Sequence, residues 1–159
     1  MVLNVFVEGC NESMNVRNVG FTKFICEILR GWNLELGRLY EEKYGYSWDD
    51  NTELGILKYA LMLTRKEETN QLTEKIKKIL DEYDKPYNEG MKIFAYHSDC
   101  EGEISPKECA LVLQAFQRVN TDNFDKSDEE IYEWLKENYD IWITMLKYSI
   151  ENDKPIIFG

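Results

Sequence analysis

The chain has 159 residues, 43% of them apolar and 31% charged, a balance that excludes a disordered polymer and suits one globular domain over residues 1–159. The 30 acidic residues outnumber the 19 basic ones and leave a formal charge of −11, which disfavours direct binding to nucleic-acid phosphates or to an anionic membrane. No apolar run is long enough to span a bilayer.

The opening stretch VLNVFVE (2–8) alternates Leu3, Val5 and Val7 against Asn4, Phe6 and Glu8, and reads as a strand. It lacks the basic lead and the apolar length of a secretion signal, so a cytoplasmic protein is expected. The cysteines at 10, 26, 100 and 109 form no CxxC pair and are expected to be free thiols in that compartment. A polar loop, GCNESMNVRN, is predicted next. From Gly20, the apolar residues Phe21, Phe24, Ile25, Ile28, Leu29 and Trp32 fall at the spacing of one helix face, with Gly31 marking the end.

A short helix is predicted over 34–44, with Leu36, Leu39 and Tyr40 inward, and a loop at YSWDDN. Residues 52–63 read as a buried helix, although Gly55 in its interior costs about 1 kcal/mol relative to alanine. Thr64 with Glu67 fits a capping box before a stripe of Leu72, Ile76, Ile79, Leu80 and Tyr83. After the punctuation DKPYNEG, the segment MKIFAY (91–96) alternates and is predicted to be a second strand. Cys109, Val112, Leu113, Phe116 and Val119 describe the next helix. Ser127 with Glu130 forms another capping box, opening a long helix striped by Ile131, Trp134, Leu135, Trp142, Met145 and Ser149; KPIIF closes the chain as a short strand. The expected class is α+β, a helix-dominated single domain with a small sheet of two or three short strands.

The densest chemistry lies in HSDCEGEISPKEC (97–109). Read as a twelve-residue calcium loop, it places His97, Asp99, Glu101, Glu103, Ser105 and Glu108 at ligand positions and Gly102 at the turn, with imidazole where the first carboxylate belongs. Read as a zinc or thiol site, it supplies His97, Cys100 and Cys109, with Cys10 or Cys26 as a fourth ligand; Cys100 with His97 and Asp99 would be the enzymatic version. Read structurally, Ser105 is an N-cap, Pro106 the first helical residue and Glu108 the return half of a capping box. No glycine-rich phosphate loop, HExxH or nucleophile elbow is present, so an enzyme is the least supported class.

The segment containing His97, Ser98, Asp99, Cys100, Gly102, Pro106 and Cys109 resembles a group of small bacterial and phage proteins that carry a His-Ser-Asp-Cys-x-Gly…Pro-x-x-Cys signature. The Gly20-Phe21 helix start and the final apolar strand match the same group loosely, whereas residues 34–90 do not. The resemblance implies weight on the motif and no particular chemistry.

A second feature is DNFDKSDEEIYEWLKENYDIW (122–142), where carboxylates alternate with aromatics. Carboxylates steer a basic protein partner and aromatics anchor it, so the expected function is a small acidic interaction module, of the kind represented by immunity proteins and phage-encoded inhibitors. Glu130, Glu133 and Glu137 are the predicted steering residues. Tyr132 and Tyr139, which lie off the core stripe, are the predicted anchors. Mimicry of DNA is a weaker version, because lysines interrupt the carboxylate rows. A calcium-binding protein built on 97–108 is the alternative.

Overall fold

The computed structural model describes residues 2–44, 57, 60, 64–97 and 101–159. Its elements, in chain order, are β1 (Val2–Phe6), β2 (Ser13–Arg17), α1 (Asn18–Trp32), α2 (Leu34–Tyr44), α3 (Lys66–Glu82), α4 (Asn88–Tyr96), β3 (Gly102–Ile104), α5 (Pro106–Phe116), a 3-10 turn at Thr121–Asn123, α6 (Glu129–Asn152) and β4 (Ile156–Phe158). The fold is α+β and helix-dominated, with a sheet of four strands where two or three were expected. The helix predicted over 52–63 lies outside the described residues, apart from Leu57 and Ala60.

The sheet is antiparallel, in the order β2-β1-β4-β3, so the last strand of the chain is inserted between the first and the third. The register pairs Leu3 with Val16, Val5 with Phe158, and Ile104 with Ile156. Leu3, Val5, Met14, Val16, Ile104, Ile156 and Phe158 point at the helices and are buried, while Ser13, Asn15 and Arg17 face away and are exposed. This is the period-two pattern of a sheet covered on one face.

β2 replaces the polar loop predicted for that stretch. Its alternation is carried by Met14 and Val16 alone, and only pairing with β1 makes it a strand.

MKIFAY is helical, not a strand. Within α4 the buried residues are Asn88, Gly90, Met91 and Phe94, a spacing that fits a helix face and overrides the apparent alternation. Gly90 explains how α4 lies so close to α5: a Cβ there would sit 1.9 Å from the Leu111 carbonyl oxygen. Asn88 Nδ2 donates to the carbonyls of Leu80 and Asp81, each at 3.1 Å, closing the end of α3 onto the start of α4.

The core is an aromatic cluster where both layers meet. Phe94 stands edge-on to Phe116 (4.9 Å, 90°) and to Trp142 (5.2 Å, 78°), and Phe21 stands edge-on to Phe158 (5.9 Å, 75°). Such pairs contribute about 0.5–1.5 kcal/mol each beyond the area they bury. The Trp142 indole N–H, fully enclosed, donates to Met14 Sδ at 3.2 Å and so joins α6 to β2.

Two predicted helix starts are corrected. α3 begins at Lys66 with Arg65, rather than Thr64, at the cap position. α6 is capped by Asp128, one residue later than Ser127; its carboxylate accepts from the backbone N–H groups of Glu130 (3.0 Å) and Ile131 (3.2 Å). Aspartate is as good a cap as serine and adds charge at the positive helix end.

Candidate functional site

The 97–109 segment is the link of a helix–loop–helix, α4 to α5, with β3 inside it. His97 ends α4 as its C-cap. Its ring stacks on Phe158 (4.1 Å between centroids, 29°), and Nε2 lies 3.2 Å from the Glu103 carbonyl oxygen. A carbonyl only accepts, so the ring carries its proton on Nε2. Gly102, at φ +99°, makes the turn between them in a region that disfavours side chains. Ile104 is buried beside Ile156 of β4, and Ser105 and Glu108 complete the capping box: Ser105 Oγ accepts from Glu108 N (3.1 Å), and Glu108 Oε1 accepts from Ser105 N (3.2 Å).

The backbone therefore has several features of a calcium loop: a helix before and after, a positive-φ glycine at the sixth position and a helix start at the ninth. The donors are disposed otherwise. The seventh residue, whose carbonyl would bind the ion, has that carbonyl hydrogen-bonded by His97. The side chains of Glu101 and Glu103 are exposed, and Ser98, Asp99 and Cys100 lie outside the described residues. Among the described residues, no group of three or more His, Cys, Asp or Glu side chains is placed to share a metal ion.

Two of the thiols, Cys26 and Cys109, are used inward. Cys109 Sγ donates to the Ile104 carbonyl and Cys26 Sγ to the Gly37 carbonyl, each at 3.6 Å. Burial raises the thiol pKa of both, so each is held as a thiol rather than as the thiolate that a metal or an electrophile needs.

On α6, Glu130, Glu133 and Glu137 are exposed, as are Asp128, Glu129 and Asp140. Glu133 pairs with Lys136 at 3.2 Å. Tyr132 is half-buried, with the ammonium groups of Lys136 and Lys126 at 4.5 and 5.6 Å from its ring centre. Tyr139 corrects the expectation of a second exposed anchor: its hydroxyl donates to the Phe116 carbonyl at 2.6 Å, and its ring lies parallel to that of Phe116. Burial raises its phenol pKa. Ile131, expected on the core stripe, is 41% exposed and takes a place beside Tyr132 on the outer face.

Two polar clusters escaped the sequence reading. Glu27 is fully buried in α1; it accepts from Arg30 Nη1 (2.7 Å to Oε1) and from the backbone N–H of Asp125 (2.7 Å), and pairs with Lys23 at 3.4 Å. Lys23 also binds Asp125 at 3.1 Å, and Arg30 reaches Glu41 of α2. The signal was the i, i+4 and i, i+3 charges of Lys23, Glu27 and Arg30 in an otherwise apolar helix. In the second cluster, Asp84 takes two hydrogen bonds from Arg118 (2.6 and 2.9 Å) and one from the Trp32 indole (3.0 Å). The Arg118 bonds draw its carboxyl pKa down, aided by Trp32 and opposed by desolvation.

The fold and these sites define an α+β protein with one four-stranded sheet and an acidic helical face. No protein-family model, curated protein or solved structure matches the chain.

Proposed function

We propose that the protein is an acidic interaction module that binds a basic protein partner through the outer face of α6, as an immunity protein or a phage-encoded inhibitor does. The observation that supports this reading is the exposed row of Glu130, Glu133 and Glu137 beside the exposed Ile131 and half-buried Tyr132. Carboxylates on the rim speed encounter with a cationic surface, and the apolar pair supplies contact area. Lys136 and Lys126 over Tyr132 divide this face, so a partner must displace or bridge them. The charge of −11 opposes nucleic acid and anionic lipid as partners. Among the described residues, no helix is long and apolar enough to cross a membrane.

The test is the triple variant Glu130→Lys, Glu133→Lys, Glu137→Lys against the partner recovered from the native source, with binding followed by calorimetry at increasing salt. Loss of most of the affinity and a flattened salt dependence are expected, at unchanged thermal stability. Unchanged binding would remove this face from consideration.

A second reading, calcium binding by 97–108, is favoured by the helix–loop–helix around the positive-φ Gly102. It requires His97 to release the Glu103 carbonyl. A calcium-dependent rise in melting temperature that Asp99→Ala abolishes would establish it; a zinc-dependent rise lost on Cys100→Ser would establish the thiol site instead.

A further inference from the structure

β2 is an edge strand, and the hydrogen-bond phase of the sheet fixes which of its groups face outward. Asn4 exchanges both backbone hydrogen bonds with Gly159, at 2.9 Å each, so Asn4 is turned toward β4. In antiparallel sheets successive residues alternate sides, so Leu3 and Val5 turn toward β2 and bond with their partners Val16 and Met14. Ser13, Asn15 and Arg17 therefore aim their backbone groups away from the sheet. Among the described residues nothing hydrogen-bonds to that side of β2, apart from the Arg17 carbonyl, which opens α1.

Edge strands are ordinarily protected by lysine, proline, a bulge or extreme shortness. β3, at the opposite edge, has that protection: it is three residues long, starts at positive-φ Gly102 and carries exposed Glu103. β2, Ser-Met-Asn-Val-Arg, has five residues in unbroken register and no proline, lysine or carboxylate.

We propose that β2 pairs antiparallel with β2 of a second copy of this chain, about a two-fold axis through Asn15. The sequence is self-complementary in that register. Asn15 lies opposite its own mate, and the two exchange both backbone hydrogen bonds. On either side the Arg17 N–H donates to the Ser13 carbonyl of the other copy. Every outward-facing residue meets an outward-facing residue, whereas a shift of one residue would set Asn15 against Met14 or Val16, whose groups are already bonded to β1. On the exposed face the Asn15 amides lie within cross-strand reach, and Arg17 stands opposite the uncharged Ser13, so no like charges oppose one another within the strand pair. Met14 and Val16 remain in the core, and the two sheets become one.

Each copy carries a charge of −11, so the pair tightens as salt rises. Binding of a basic partner at α6 weakens under the same change, and the two can fail separately.

The experiment is sedimentation velocity on the full chain from low to high micromolar concentration, at low and raised salt, for the unmodified protein and Asn15→Lys, with amide exchange followed by NMR. Lysine at the axis places two ammonium groups face to face while occupying an exposed position in the single chain. The expected result is a salt-favoured dimer that Asn15→Lys abolishes. The Asn15 and Arg17 amides should gain protection as concentration rises, while those of Met14 and Val16 are protected throughout. An unmodified chain that stays monomeric would overturn the proposal, as would a dimer that survives Asn15→Lys. So would a dimer whose Asn15 amide exchanges freely, or an Asn15 amide protected only by a different protein.

Discussion

His97 Nε2 sits 3.2 Å from the carbonyl oxygen of Glu103, so an imidazole N–H satisfies the group that a calcium ion would otherwise bind in a loop of this shape. The ring is fixed from the other side by Phe158 of β4, which couples the loop to the sheet.

Replacing that histidine tests the relationship directly. His97→Asp restores a carboxylate at the first loop position and frees the Glu103 carbonyl. In EDTA the variant should be less stable by about 1 kcal/mol, the net worth of a hydrogen bond. With calcium at a hundred times its dissociation constant it should recover about 2.7 kcal/mol, read as a rise in melting temperature that the unmodified protein does not show. A rise in the unmodified protein would instead establish calcium binding as its own property.

Asp125 predicts a dependence on acid. Burial opposes its ionisation, but the Ser127 N–H and hydroxyl and the Lys23 ammonium outweigh burial and hold its pKa at about 2, against an ordinary 3.8. A carboxyl whose pKa is lower in the folded state contributes stability above its unfolded value and loses it as pH falls toward its folded value. Part of the stability should therefore disappear between about pH 4 and pH 2. Asp125→Asn should reduce that slope in chemical denaturation at stepped pH; an unaltered slope would show that this ion pair does not couple to folding.

Gly90→Ala sets two effects against each other. Alanine favours a helix over glycine by about 1 kcal/mol. The added methyl, however, would lie 1.9 Å from the Leu111 carbonyl oxygen and 2.4 Å from its carbon, backbone atoms that move only if α5 moves. Overpacking should win, with a net loss of about 3 kcal/mol in urea unfolding.

The capping box gives a smaller and local effect. Ser105→Ala removes the acceptor for Glu108 N–H and should cost about 1 kcal/mol. Glu108→Ala should cost less, because the backbone N–H of Ser105 can turn to water. The double variant should cost less than the two single losses together, since the two bonds form one unit.

Local signals carried much of the fold. The Phe21–Trp32 stripe, the 34–44 helix and the Ser105-Pro106-Glu108 helix start were legible because each rests on residues three or four apart, whose meeting a helix guarantees. The outward placement of Glu130, Glu133 and Glu137 on α6 was legible for the same reason, from charge and periodicity. Tyr139 was not, because an off-stripe position still packs inward when a neighbouring helix end, here Phe116 of α5, offers a carbonyl and a ring.

Composition and spacing thus determined by themselves that this chain is acidic, that it is rich in amphipathic helices, and where the helix start at Ser105-Pro106 and the loop of concentrated chemistry before it fall. Tertiary structure alone decided that Ser13–Arg17 is a strand, that MKIFAY coils, and that the chain's final strand separates its first from its third. It also decided that His97 engages a backbone carbonyl and that Glu27 is buried among cations. The physical reason is range. A helix is stabilised by hydrogen bonds to residues four positions away, whereas β2, β3 and β4 are too short to persist alone and exist only when partners as distant as Val5 and Phe158 meet. The same distance dependence makes a buried charge such as Glu27 unreadable until α1 and the loop at Asp125 are brought together.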